Sequence, residues 1–381
     1  MGSLIKNTLS ILILNWKDVT NPTAGGGTYY THRVAEYLVK KGHEVTLLCP
    51  NYSGGKNEEV INGVNVIRLG NRYTVYLKAF IRYLKTLKGK YDLVIDEINV
   101  VPWFTPLYVK APKMAFIHQT TKEPLFLELN KLVATIIYCI EKIGMLLYRN
   151  LAIVTVSPSV KKDLMNNMIS GEKVTIIPPG IDLKGYDADY NPYRKADFPM
   201  VLYFGRLKKY KGIHHLIKAM KYVTEQIPEA KLLIAGKGDY RDELTKLAKK
   251  LGLERVVTFL GYVPDNEKIS LMRKAWLLVI PSIKEGYGIV AIEAAASGTP
   301  VIGTDTTGLR DSIIKGRTGY LVPYEDPKAI CRKICEVLAD DELRHRLSKN
   351  ASEWGKRFEW KTTLSRFEEI VRKVAATNVE G

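Results

Sequence analysis

Glu285 and Glu293 stand with seven residues between them, in the run Pro281-Ser282-Ile283-Lys284-Glu285-Gly286-Tyr287-Gly288-Ile289-Val290-Ala291-Ile292-Glu293. The run reads as a strand entering a loop, glycines opening the loop, and a helix starting near Ile289. The first amides of a helix lack an intrahelical acceptor, so this start can take a phosphate or sugar oxygen. Glu285 lies in the loop and Glu293 one turn into the helix, so the two acids address different parts of one ligand. A carboxylate accepts paired donors, which suits the vicinal hydroxyls of ribose and hexose rings. Glu293 also sits among Ile292 and Ala294 to Ala296, where a partly buried acid needs a partner. A structural salt bridge is therefore the other reading of Glu293.

Upstream, Tyr203-Phe204-Gly205-Arg206-Leu207, followed by Lys211-Gly212, sets two cations beyond the end of a strand. Arginine offers a fixed fork to phosphate oxygens and lysine a mobile point charge, so the pair can hold a diphosphate whose charge grows during reaction. Each charge-assisted contact is worth about 1.5–3 kcal/mol. In a basic protein the same residues also suit a solvated turn. In the first half, Asn21-Pro22-Thr23-Ala24-Gly25-Gly26-Gly27-Thr28 follows a strand and precedes a helix. Glycines there let a phosphate approach backbone amides, which makes Gly26 and Gly27 candidates. The loop has neither the GxGxxG nor the GxxxxGK spacing, and a tight turn would use the same residues.

His118 ends the strand Met114 to Ile117. Its imidazole can donate to a sugar hydroxyl or align an acceptor, or be satisfied by backbone. The 6 histidines form no HExxH or clustered pattern, so no catalytic zinc is expected. Asp187-Ala188-Asp189 has the letters of a metal-binding DxD, but it falls in a linker and is treated as coincidence.

These residues need a scaffold, and the apolar runs supply one. Ser10 to Leu14, Glu44 to Cys49, Leu93 to Asp96, Met114 to His118, Ile153 to Ser157 and Val174 to Ile177 read as strands, with a helix over Tyr30 to Lys40. Near-continuous apolar strands between amphipathic helices indicate a parallel sheet covered on both faces. Pro178 to Asp197, rich in Pro, Gly, Tyr and Asp, reads as a linker. A second cycle follows, with strands at Met200 to Phe204, Lys231 to Ala235, Val256 to Leu260, Leu277 to Ile280 and Val301 to Gly303. Helices are expected at Ile213 to Ile227, Tyr240 to Leu251, Asn266 to Lys274, Ile289 to Ser297 and Lys356 to Val374. The fold expected is α/β, with two doubly wound Rossmann-like domains facing a cleft lined by the carboxyl ends of their sheets. The boundaries are placed at 1–183, 184–355 and a C-terminal helix, 356–381, crossing back to the first domain.

With 381 residues the chain exceeds the size at which single cores stop growing, which agrees with two domains. Lys plus Arg number 57 against 40 acids. That excess favours anionic partners, while no recognised module or aromatic-interleaved basic block points to nucleic acid. Cys49, Cys139, Cys331 and Cys335 are too few and scattered for a disulfide framework, so a cytoplasmic setting is expected. The N-terminal apolar run, Leu9 to Leu14, is too short for a signal-peptide core. Phe126 to Leu147 is interrupted by Glu128, Lys131, Glu141 and Lys142, which disfavours a membrane span. As one apolar helix over Leu125 to Leu147, with Lys122, Lys131, Lys142 and Arg149 nearby, it suits peripheral contact with an anionic membrane surface. Packing against the first domain or a second subunit would use the same face.

In their order the motifs resemble the retaining glycosyltransferases of family 4, of the two-domain GT-B fold. The likeness spans nearly the full chain: Gly25 to Gly27, His118, Ser157 to Leu164, Ile177 to Asp182, Gly205 to Leu207 with Lys211-Gly212, Gly236-Lys237-Gly238, and Glu285 with Glu293. The resemblance implies transfer of a hexose or its derivative from a nucleoside diphosphate sugar, UDP-sugar favoured, to a sugar or lipid-linked acceptor. No cofactor and no metal for chemistry are implied. Arg206 and Lys211 would bind the diphosphate, Glu293 the ribose and Glu285 the transferred sugar. His118, Arg206, Lys211 and Glu285 would form the catalytic set. Gly26, Gly27, Gly236, Gly286, Tyr287, Gly288 and Ile289 would complete the donor contacts. Where many relatives carry a histidine-containing motif after the fourth strand, this chain has Ile95 to Pro106. Glu97, Asn99 and Trp103, with His118, are taken there as acceptor contacts. A phosphorylase of the same fold and a non-catalytic sugar-nucleotide-binding regulator are the alternatives.

Overall fold

The computed structural model describes residues 7–186, 191 and 195–377, and the chain divides into two units. The first comprises Met1–Thr121, Lys131–Gly180 and Lys361–Gly381. Its sheet is built from β1 (Ser10–Leu14), β2 (Glu44–Cys49), β3 (Glu58–Ile61), β4 (Val64–Arg68), β5 (Leu93–Ile98), β6 (Lys113–Ile117), β7 (Ala152–Thr155) and β8 (Val174–Ile176), in the order β3-β4-β2-β1-β5-β6-β7-β8. Every pairing is parallel except β3 with β4. The central strands are buried along nearly their whole length, which is why they read as apolar runs and not as alternation.

Helices α1 (Gly26–Lys40), α2 (Val75–Arg82, continued as one π turn over Tyr83–Leu87), α4 (Lys131–Leu146) and α5 (Pro158–Met165) flank this sheet, and α3 (Lys122–Glu128) belongs to the second unit. Helix α1 begins four residues before the Tyr30 start expected from periodicity, with Gly25 as an extended N-cap. Glycines carry no apolar signal, so the pattern could not register this turn. The Leu125 to Leu147 segment is likewise two helices and not one, parted at Leu129-Asn130.

The β3–β4 hairpin was not expected. Asn62 (φ 51°) and Gly63 (φ 84°) join it, both left-handed as a two-residue hairpin turn requires. At its end Arg68 is fully buried: its Nε lies 2.7 Å from Asp18 Oδ2 and its Nη1 2.5 Å from Glu59 Oε1. Nη2 also donates to Thr20 Oγ1 at 2.9 Å, so the strand end and the loop before α1 are one polar network.

The second unit comprises Lys122–Asn130 and Ile181–Trp360. Its parallel sheet contains β9 (Met200–Phe204), β10 (Lys231–Ala235), β11 (Val257–Gly261), β12 (Leu277–Ile280), β13 (Val301–Thr304) and β14 (Gly319–Val322), ordered β11-β10-β9-β12-β13-β14. Around it run α6 (Ile213–Gln226), α7 (Arg241–Lys250), α8 (Asp265–Lys274), α9 (Ile289–Ala296), α10 (Leu309–Ser312), α11 (Pro327–Ala339) and α12 (Asp341–Gly355). Two doubly wound sheets of this kind are the GT-B plan. The last helix, α13 (Trp360–Ala376), returns to the first unit. Phe367 packs edge-on to Phe116 at 5.2 Å and to Tyr30 at 6.4 Å, and Thr363 donates to the Pro178 carbonyl at 3.0 Å.

No helix among the described residues is long and apolar enough to cross a membrane. Asp187 to Asp189 lie outside the described residues.

Candidate active site

In the second unit the expected anion clamp lies at the carboxyl edge of β9. Arg206 is exposed, and its guanidinium donates to Tyr210 Oη at 2.7 Å. Tyr203, buried beneath it, donates to the Arg206 carbonyl at 2.9 Å and so fixes the turn. Lys211 Nζ sits 2.6 Å from Glu285 Oε1, and Ser282 Oγ donates to the same oxygen at 2.7 Å. Two loops more than 70 residues apart in sequence thus meet in one charged cluster, since that pair is separated by 74 positions.

Glycine allows the loops to approach. Gly212 has φ 68° and presses on the Pro281 carbonyl, while Gly236 (φ 138°) presses on that of Gly205. A Cβ at either would strike backbone, and backbone cannot swing aside. Gly236 therefore has a packing task beyond any contact with a ligand. Gly288, φ 78°, is the N-cap of α9 and offers no side-chain cap, and the first turn of α9 carries no acid. Its opening amides remain directed at whatever anion approaches. Tyr287 turns its ring inward, tilted against Phe358 at 5.7 Å, so its side chain packs within the unit.

Glu293 Oε1 pairs with Lys268 Nζ at 2.8 Å, beside the buried Tyr186 hydroxyl. Burial is the largest single influence and pulls the Lys268 amine down, but Glu293, Tyr186 and Asp265 together outweigh it and raise the amine above its ordinary range. Burial, and then the Glu293 charge, also raise the Tyr186 hydroxyl. The cluster thus holds the Glu293 carboxylate against the Lys268 amine in a half-buried setting. Lys268 and Tyr186 were not singled out from sequence, because nothing local links them to Glu293. Ser282, three residues before Glu285 at a strand end, did carry a local signal. A further pocket of about 270 Å³, lined by Leu260, Tyr262, Val263, Glu267, Ser270 and Leu271, opens beside the end of β11.

Helix α3 adds acids to this unit. Glu128 Oε1 accepts from the Tyr210 amide at 3.3 Å, and Glu123 Oε2 accepts from Lys284 Nζ at 2.9 Å. One short helix thereby contacts both loops of the charged cluster.

The first unit gathers a separate polar group. His118 Nε2 lies 3.2 Å from Glu97 Oε1. The two atoms are close but do not form a hydrogen bond. Asn99 Nδ2 donates to Glu97 Oε1 at 3.3 Å and to Asn15 Oδ1 at 3.2 Å. Gly27 lies on the imidazole face, where an added Cβ would come within 3.3–3.4 Å of the ring, while Gly26 is exposed in the same helical turn. Glu97 is buried as the partner of His118 and Asn99, so it addresses these side chains first. Trp103 corrects the expectation of an open aromatic platform: it is 4% exposed, with its ring 4.7 Å from that of Tyr76. An apolar run beside a Pro suits a packed loop as well as a sugar platform, and packing is what the indole does here.

Asp96 anchors that loop. Its Oδ2 accepts from Thr105 Oγ1 at 2.8 Å and from Tyr148 Oη at 2.5 Å. Burial pushes the carboxyl up to about 6, against the lowering effect of these donors. The folded state therefore holds this proton more tightly than the unfolded chain, and the site costs stability as pH rises from about 4 to 6. Tyr148→Phe removes one donor and is expected to cost about 1–3 kcal/mol. The loss should be larger at pH 8 than at pH 5, as read by urea unfolding at both; equal losses would mean that Asp96 is not charged at pH 8.

Comparison with known proteins agrees with this architecture. Residues 24–184 match the model described as Glycosyltransferase Family 4, and residues 190–354 that described as Glycosyl transferases group 1. The chain is 30% identical over 369 residues to an uncharacterized glycosyltransferase of Methanocaldococcus jannaschii, covering 90% of this chain and 92% of that one. Among solved structures it superposes on a sucrose-phosphate synthase from Thermosynechococcus elongatus with a TM-score of 0.80 at 25% identity, over 96% and 99% of the two chains. For HepE of Anabaena, solved in complex with UDP-glucose, the TM-score is 0.75 at 19% identity, over 96% and 100%. That last likeness speaks for the fold alone. Built on two doubly wound sheets and matched along nearly its whole length, the chain belongs to the group 1 and family 4 glycosyltransferases and is a GT-B enzyme that transfers glycosyl groups.

Proposed function

We propose that the enzyme transfers a hexose or hexose derivative from a nucleoside diphosphate sugar, with retention at the anomeric carbon, to a sugar or lipid-linked acceptor. The observation that carries this reading is the charged cluster of Lys211, Glu285 and Ser282, with Arg206 beside it and the uncapped start of α9 nearby. Two cations and helix amides suit a departing diphosphate, and carboxylates suit hydroxyls. In the step itself the bond from the anomeric carbon to the phosphate oxygen breaks and that to the acceptor oxygen forms on the same face. The acceptor proton passes to a phosphate oxygen of the leaving group, so no side chain is nominated as a covalent nucleophile.

Arg206 and Lys211 take the diphosphate, Glu285 the transferred sugar and Glu293 the ribose; the exposed Tyr262 ring by the β11 pocket suits base stacking. His118 orients a sugar hydroxyl, with Asn99 and Glu97 on the acceptor side. The chemistry draws on no metal ion. The exposed apolar side chains of α4, such as Leu132, Ile136 and Ile143, suit a bilayer surface that presents a lipid-linked acceptor.

The test is incubation with a panel of nucleotide sugars, UDP-sugars first, and sugar or lipid acceptors, followed by product mass and anomeric linkage. Retained configuration with one donor supports the reading. An inverted product overturns the stereochemical part, and donor binding without turnover points to a regulator. Orthophosphate-dependent cleavage of a glycan points to a phosphorylase. Glu293→Gln is expected to weaken nucleotide affinity about tenfold by calorimetry, the scale of one charged hydrogen bond. Unchanged affinity returns Glu293 to a purely structural role with Lys268.

A further inference from the structure

The segment Asn71 to Lys90 contains Arg72, Lys78, Arg82, Lys85, Lys88 and Lys90 and no acidic residue. In the structure residues 75–87 of this segment form α2 and its π turn, carrying Lys78, Arg82 and Lys85, with Arg72, Lys88 and Lys90 flanking them, and the helix has two faces. Val75, Ala79, Tyr83 and Leu87 point into the first unit, at a spacing of four. Leu77, Phe80, Ile81 and Leu84 recur at helical spacing on the other side and are exposed to solvent, Leu77 by 65%. Tyr73 and Leu107 extend the exposed surface, Leu107 by 68%. Leu107 belongs to it through Tyr108, whose ring meets Phe80 edge-on at 5.1 Å. The single acid paired to this segment among the described ion pairs is Glu58, 3.3 Å from Arg82 at the surface.

We infer that α2 and its π turn dock the first unit onto an anionic lipid bilayer. An apolar stripe at i, i+3, i+4 and i+7 flanked by cations is the arrangement of a helix lying in the headgroup region, with the side chains entering the acyl boundary and the cations meeting lipid phosphates. A nucleic acid would use the cations and leave the stripe in water, and a protein groove would not call for six cations without an acid. The surface attachment proposed above through α4 rests on another element, and the two helices contribute independently. Both pack on the loop that carries Asn99: Tyr76 of α2 faces Trp103, and Gly144 of α4 abuts Pro102 and Phe104. Docking through α2 therefore brings the loop of the acceptor side chains to the membrane, where a lipid-linked substrate would be met.

The full chain is floated with vesicles of phosphatidylcholine alone and with about one third phosphatidylglycerol, at low and high salt. Binding is expected only to the anionic vesicles, with release by salt. Each cation at the surface contributes about fivefold, so Lys78→Gln/Lys85→Gln/Lys88→Gln should weaken binding about a hundredfold. Leu77→Ser/Ile81→Ser tests the stripe separately and should also reduce binding at least tenfold, with transfer to a water-soluble acceptor unchanged in the absence of vesicles. Equal binding to neutral vesicles, or binding untouched by both variants, overturns the inference. Loss of binding only in the α4 variant Ile136→Ser/Ile143→Ser assigns the membrane contact to α4 and also overturns it. A dimer in solution that the stripe variant converts to monomer, without flotation, replaces lipid with a second copy. Loss of transfer with flotation intact would count against the proposed reaction and leave the docking assignment standing.

Discussion

Lys211→Ala is expected to lower kcat/KM about 10²–10³-fold while the protein stays folded. That is the scale for removing one preorganised donor from developing negative charge, about 2.7–4 kcal/mol. The loss should fall mainly on kcat, because phosphate charge grows as the glycosidic bond breaks. Lys211 also neutralises Glu285 at 2.6 Å, so its removal leaves that carboxylate with Ser282 as its remaining named partner. Lys211→Arg keeps the charge but not the compact ammonium geometry and should recover only part of the rate. Initial rates with the true donor, alongside circular dichroism for folding, decide the matter: a folded variant with parental kcat/KM would remove Lys211 from the catalytic set.

The second large effect is on stability. Arg68→Met should cost about 3–5 kcal/mol, because it strips the buried Asp18 carboxylate of its cation. Adding Asp18→Asn to Arg68→Met should recover part of that loss, since no buried charge is then left alone. Burial alone would raise the Asp18 carboxyl, but Arg68 and then Thr20 bring it down to about 2. Its pKa is thus depressed in the folded state, so the associated stabilisation is present above about pH 4 and drains away as pH falls toward 2. Urea unfolding across that range should show a steeper loss of stability in the parent than in the double variant, which keeps the other carboxylates such as Glu368. Equal slopes in the parent and the double variant would mean that the pair contributes little.

Much of this was readable beforehand because parallel strands buried on both faces announce themselves. Met200–Phe204, Lys231–Ala235 and Leu277–Ile280 fall where the apolar runs placed them. What escaped was structure whose signal is not apolar. The start of α1 is glycine, and β3 is half exposed, so its Asn62-Gly63 turn, a local hairpin cue, has no apolar run beside it to mark a strand. The split of Leu125 to Leu147 depended on α3 joining the second unit, a tertiary matter. In the charged clusters the motif residues were legible, but Lys268 and Tyr186, which surround Glu293, come from distant segments and left no trace in its neighbourhood. Composition likewise could not tell that Trp103 would be enclosed, because a loop tryptophan serves packing and sugar binding equally well.

The return of α13 to the first unit has a consequence for biosynthesis. Phe116 and Tyr30 are made early, yet their partner Phe367 is synthesised only after the whole of Ile181–Trp360. The amino-terminal sheet must therefore wait, with an aromatic surface uncovered, while some 180 residues of the other unit, Ile181–Trp360, are synthesised and begin to fold. A nascent chain halted before Lys361 should expose that surface to chaperones, and emergence of α13 should close it.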